Sequence, residues 1–165
     1  MTPRETMSSL PTLPLPHERE DVGRELQTVL VELVDLSLIG KQLHWAVTGP
    51  GFSSLHLQLD ELVDSWRELA DTVAERAVAL GFVPDGQAHA VAAASQLARV
   101  TQGPIEDRVL VRELAHRLAD VSARARSRLE AIGAADLVSQ DVLIEVVREL
   151  EKQQWMLRAQ LGELA

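Results

Sequence analysis

The sequence predicts an all-α protein: a bundle of four long helices, with a short extra helix in the connection between the second and third. Three observations predict it. Apolar residues recur at helical spacing along four long stretches of the chain. Breaks rich in Gly and Pro separate those stretches. No stretch shows the strict apolar–polar alternation of a half-buried strand.

Taken in order, Pro3, Pro11, Pro14 and Pro16 make residues 1–20 a flexible N-terminal tail, ahead of a single folded domain over 21–165. Val22, Leu26, Val29, Leu33, Leu36, Leu43 and Val47 mark the first helix, over about 21–47. It ends at TGPGFSS, where Gly49, Pro50 and Gly51 break it and Ser53 or Ser54 is placed to cap the next helix. That second helix runs to about Leu80 and is closed by GFVPDG. The segment AHAVAAASQLA has the length for two or three turns inside the long connection that follows. Pro104 suits the first turn of a third helix that ends near Gly133. The fourth runs from about Ser139 to Leu161, with Leu143, Val146, Val147, Leu150 and Leu157 on its apolar side. Four long helices with one long middle connection form an up-down-down-up bundle with a single crossover, the ferritin-like arrangement.

Composition excludes several classes of function. The 165 residues, 46% of them apolar, suffice for one domain with a real core. No apolar run reaches the length of a membrane span. The N-terminal residues lack a charged start followed by a continuous apolar segment and do not read as a signal peptide, so a cytoplasmic location is expected. The chain has no Cys, which removes disulfides and thiolate ligands and leaves nitrogen and oxygen donors for any metal. Formal charge is −9, and Lys41 and Lys152 are the only lysines. Such a chain attracts cations rather than nucleic acid. The tail sets Arg4 and Arg19 against Glu5, Glu18 and Glu20, so it is not a basic arm. Arg124, Arg126 and Arg128 scatter around a helix and read as solvated surface. Neither a G-x-S-x-G elbow nor a phosphate-binding Gly-rich loop is present.

The residues that carry chemistry are His44, His56, Asp60, Asp71 and Glu75. Four of them lie on the second helix, as two i, i+4 pairs on one face. Asp60 and Asp71 are three helical turns apart, roughly 16 Å along the axis, too far for a single metal site. The pairs are placed symmetrically about Ser65 and Trp66. If this helix packs antiparallel on its own copy across a two-fold axis there, His56 of one chain faces Glu75 of the other, and Asp60 faces Asp71. Each dimer then holds two equivalent sites built from both chains. A solvated acidic helix face would account for the carboxylates, but not for the histidines or the mirror placement. His44 lies beside the apolar line of the first helix, and the Gly-Pro-Gly reversal brings it toward His56.

Other candidates are weaker. Glu113-x-x-His116 has the spacing used by di-iron carboxylate bundles, but those repeat the motif on two helices and this chain has one copy. His17 and His89 belong to no constellation. Asp141 and Glu145, with Asp136 just upstream, are explained by capping and the helix dipole at the start of the fourth helix. A symmetric assembly would also gather them around an axis as a funnel for cations.

KQLHWAVTGPGFSSLHLQLDELVD, followed by DTVAER, resembles the Dps family, the miniferritins named as DNA-binding proteins from starved cells. The resemblance covers roughly residues 22–163 and leaves out the tail. The family's five-residue motif falls on His44, His56, Asp60, Asp71 and Glu75 with no departure in type or spacing. The resemblance implies a hollow homododecamer with ferroxidase sites at its two-fold interfaces. His44, His56 and Asp60 then come from one subunit, and Asp71 and Glu75 from its partner. It further implies oxidation of Fe(II), preferably by hydrogen peroxide, and storage of ferric mineral, which protects against oxidative damage. Asp141 matches an acidic position lining the family's iron-entry pores, and Glu145 and Asp136 fall near it. Trp45 and Trp66 stand where the family has aromatics near the iron. Imidazole and carboxylate donors suit iron, and Zn(II), Mn(II) and Co(II) are expected to compete. A nucleoid protein that compacts DNA is the alternative reading. The acidic, Lys-free tail disfavours it, because the family's DNA binders often use Lys-rich tails.

Overall fold

The computed structural model describes residues 13–163. Its helices are α1 (Pro16–Ala46), α2 (Phe52–Ala79), α3 (Ala88–Ala94), α4 (Asp107–Ser127), α5 (Leu129–Ala135) and α6 (Leu137–Gln160). Two short strands, β1 (Val47–Thr48) and β2 (Ile105–Glu106), pair in parallel, Val47 with Ile105 and Thr48 with Glu106.

That pairing and a few side-chain bonds fix the helix directions. The parallel bridge puts the end of α1 and the start of α4 side by side, at the end of the bundle where α2 begins. A bond from Gln160 Nε2 to Gln58 Oε1 brings the end of α6 there too, at 3.0 Å. At the opposite end Arg76 of α2 donates to Asp136 and Ser139 at the start of α6, at 2.6 and 2.9 Å. The order is therefore up-down-down-up, with the crossover running along the bundle between α2 and α4. Gln27 ties Asp85 to α1 at the near end of this connection, and Ser95 bonds Asp35 midway.

The ferritin-like bundle expected from the apolar spacing is present. α1 packs on α2 and α4 on α6 around one core. Leu26, Leu33, Leu36, Leu43, Leu59, Trp66, Leu110, Leu114, Leu118, Leu143 and Leu150 are fully buried. Trp66 is the largest of these. Its indole donates to Gln153 Oε1 at 2.7 Å, so its one polar atom is satisfied in the core. Gly40 lets α1 approach: a Cβ there would come within 2.6 Å of the Trp66 ring and of Val63.

Several boundaries differ from the sequence reading. α1 begins at Pro16, so residues 16–20 belong to the helix rather than to the flexible tail; residues 1–12 lie outside the described residues. Proline is at home in a first helical turn, where its missing N–H costs nothing. Glu18 Oε2 accepts the Leu15 N–H at 2.8 Å and closes that end. Neither Ser53 nor Ser54 caps α2; Gly51 is its N-cap residue, and the Ser54 hydroxyl donates back to the Gly51 carbonyl. The third helix starts at Asp107, not at Pro104, because β2 takes the intervening residues and Glu106 accepts the Val109 N–H as a cap. It also stops at Ser127, and α5 makes a separate short turn before Asp136 caps α6.

Candidate metal centre

His44 sits in the last turn of α1 and His56 in the second turn of α2, on either side of the Gly-Pro-Gly reversal. The two rings stack with centroids 3.6 Å apart. His44 Nδ1 bonds the His56 carbonyl at 3.0 Å, and His56 Nδ1 bonds the His44 carbonyl at 3.1 Å. A carbonyl only accepts, so each Nδ1 carries a proton, and in the neutral tautomer of such a ring the lone pair lies on Nε2. Metal-ligating histidines are held in this way, one nitrogen tied to the protein and the other free. The His44 carbonyl is among those that the helix end leaves without a helical partner, so the bond to His56 also satisfies it.

Asp60 lies one turn beyond His56, with Oδ1 3.2 Å from His44 Nδ1 and 2.6 Å from Lys41 Nζ. The Lys41 hydrogen bond holds the Asp60 carboxyl below its usual range; its partial burial opposes this, and the nearby imidazoles add to the lowering. Asp60 is therefore ionised, and the Lys41 ammonium and the His44 ring both meet it at Oδ1. Phe52 closes one side, its ring 5.1 Å from that of His56.

Asp71 and Glu75 lie elsewhere. They project from the same α2 face as His56 and Asp60, and both are exposed. The helix is continuous between the two pairs, so the separation along its axis is about 16 Å. The structure thus brings His44, His56 and Asp60 together and leaves Asp71 and Glu75 apart. Among the described residues of one chain, no group of three or more such side chains is posed to hold a metal.

The remaining candidates separate by environment. Asp136 is buried, accepts the Ser139 N–H as the cap of α6, and pairs with Arg76 at 2.6 Å. Burial raises its pKa, but the bonds from Ser139 and Arg76 outweigh this and hold it below the usual carboxylate range. Asp141 and Glu145 are exposed on α6, one and two turns further on. Glu113 approaches Arg117 to 4.0 Å, while His116 lies by Arg112 and Arg158. Trp45, next to His44, is 70% exposed, whereas Trp66 lies in the core. Sequence reading missed two residues, Lys41, which bonds Asp60, and Asp107, which bonds Gly51 in the reversal between the histidines. Lys41 stood one helical turn before His44, a spacing that was available as a signal. Asp107 comes from a distant part of the chain and gave none.

A four-helix bundle with one crossover and His and Asp donors on adjoining helices is ferritin-like. The family model for the ferritin-like domain matches residues 24–165. DNA protection during starvation protein 2 of Deinococcus radiodurans is 32% identical over 158 residues, covering 88% of this chain and 66% of that protein. The tetragonal form of Mycobacterium smegmatis Dps superposes with a TM-score of 0.86 at 34% identity, covering 95% of this chain and 94% of that one. Dps from Microbacterium arborescens in its high iron form gives a TM-score of 0.85 at 31% identity, covering 92% of this chain and all of that one. The chain belongs to the Dps family of ferritin-like proteins.

Proposed function

We propose that this protein forms a hollow homododecamer that oxidises Fe(II), preferably with hydrogen peroxide, and stores the ferric product as mineral. Each site joins His44, His56 and Asp60 of one subunit to Asp71 and Glu75 of another across a two-fold axis. The observation that carries this reading is the His44–His56 pair, each Nδ1 bonded to the other's carbonyl, with an ionised Asp60 3.2 Å from His44 Nδ1. The uncovered α2 face, with the second acidic pair in mirror placement, supplies what one chain lacks.

Hard carboxylates with one or two imidazoles bind Fe(II) and favour Fe(III) still more, which eases oxidation. Few protein ligands leave open positions for peroxide. Asp60 or Glu75 in a bridging position would hold two irons close enough to give peroxide both electrons together, so that no hydroxyl radical escapes. The same donors accept Zn(II), Mn(II) and Co(II) as competitors. In the shell, Asp141 and Glu145 line the entry path for the cation, and Asp136 lies behind them as a cap. The iron-bearing relative supports the choice of metal. Protection against oxidative damage in the cytoplasm belongs to the same reading. Among the described residues no helix is long and apolar enough to cross a membrane.

The test is an anaerobic Fe(II) titration followed by peroxide, with particle mass recorded. The expected result is saturable Fe(II) binding to a twelve-subunit particle and peroxide consumption that depends on bound iron. A particle that consumes no peroxide in the presence of Fe(II) would sink the proposal. DNA compaction by the acidic chain is expected to be weak or absent. Strong, length-dependent gel retardation at low salt would overturn that.

A further inference from the structure

We infer that Asp107 is a positioning residue for the metal half-site: it clamps the Gly-Pro-Gly loop that sets His44 against His56. The inference rests on the reading of those histidines as metal ligands. Asp107 is the first residue of α4, far from them in sequence, and it is buried. Its Oδ2 accepts the Gly51 N–H at 2.5 Å, while Oδ1 accepts the Arg108 N–H at 2.7 Å. The Gly51 bond is the main reason its carboxyl is held below the usual range.

The loop is shaped around this carboxylate. Gly49 has a φ of +113°, and a Cβ there would meet the Asp107 carboxylate at 3.0 Å. A Cβ on Gly51 would come within 2.8 Å of Oδ2. Two glycines therefore make room for one buried acid, and one of them also needs the left-handed backbone. On the α1 side the same segment is held by the β1–β2 bridge and by Thr48 Oγ1, which donates to the Ile105 carbonyl at 3.1 Å. β2 and the first residue of α4 thus grip the loop at both ends, through Thr48 and through Gly51.

The grip matters because the two imidazole–carbonyl bonds run in opposite directions across this loop. A slip of the α1 end along the start of α2 lengthens both at once. The rings then lose the bonds that fix their protons on Nδ1, and with them the aim of both Nε2 atoms. Outer-shell partners of metal ligands are commonly worth 10–100-fold in metal affinity.

Co(II) titration of the full-length assembly, read by its visible ligand-field bands, tests this. Asp107→Ala is expected to weaken Co(II) binding about ten-fold and to change band intensity. Asp107→Asn, whose carbonyl accepts the same N–H, is expected to keep the wild-type spectrum. Gly51→Ala pushes the carboxylate out and should mimic Asp107→Ala, with the double variant little worse than either, because the two act as one unit. Glu32→Gln serves as the control for general destabilisation. It breaks a buried ion pair with Arg124 about 18 Å along α1 from His44, so it should lower the melting temperature without moving Co(II) affinity. Wild-type binding by Asp107→Ala, or an equal loss in Glu32→Gln, overturns the inference. If His56→Ala weakens Co(II) binding but Asp107→Ala does not, the inference on Asp107 alone fails. If His56→Ala binds like wild type, the half-site reading fails and takes this one with it.

Discussion

Mixing two inactive variants gives the sharpest test of the shared site. His56→Ala removes a donor from one half of each site and Glu75→Ala removes a donor from the other. α2 holds these residues apart at opposite ends of one helix face, so in the proposed geometry no single chain completes a site. In a homodimer of either variant, both sites are damaged. A hybrid dimer has one site with both substitutions and one with neither. Random pairing of equal amounts makes half the dimers hybrids, so about one quarter of all sites are intact. The assay is the initial rate of peroxide-dependent Fe(II) oxidation after co-expression, or after dissociation and reassembly of the mixture. Recovery to about a quarter of the wild-type rate is expected, from parents with almost none. Two inactive parents that stay inactive together, in particles shown by mass spectrometry to contain both chains, would refute the geometry.

Four further outcomes follow from the same structure. Zn(II) added before Fe(II) should slow oxidation in proportion to site occupancy, and Asp60→Ala should lose the rapid phase while leaving particle mass unchanged. Gly40→Ala forces a methyl group against Trp66 and Val63 and should cost about 1–3 kcal/mol in urea unfolding, with a shifted Trp fluorescence maximum. Asp136→Asn should lose about 1–3 kcal/mol at neutral pH, because it removes a charge-assisted bond to Arg76 and weakens the α6 cap. The sign of its pH dependence is fixed by its lowered pKa in the folded state: the stabilisation is complete above the ordinary carboxylate value and fades as pH falls through the folded one. The gap between Asp136→Asn and wild type should therefore close in acid, as measured by thermal unfolding across that range.

Local rules made some residues legible and left others out of sight. The helical spacing of Leu26, Leu33, Leu36 and Leu43 announced α1, because an amphipathic helix must repeat its apolar residues every turn. His44 and His56 were visible as candidates because a tight reversal joins their helices. Pro16 misled: prolines usually break helices, and here one starts α1. Pro104 misled in the other direction, because a two-residue bridge to β1 displaced the helix start to Asp107. That bridge joins residues more than fifty positions apart, and no local pattern encodes such a pairing.

The sequence by itself determined the all-α bundle, its single crossover, and the mirror placement of two donor pairs along one helix, since these depend on periodicity and spacing alone. Only the tertiary structure decided how the donors are held. The crossed bonds between each imidazole and the other's carbonyl, the Lys41 ammonium on Asp60, and the Asp107 carboxylate in its glycine cradle all join separate elements. Such contacts depend on where helices meet in space, and their partners lie 12, 19 or 56 residues apart in the chain.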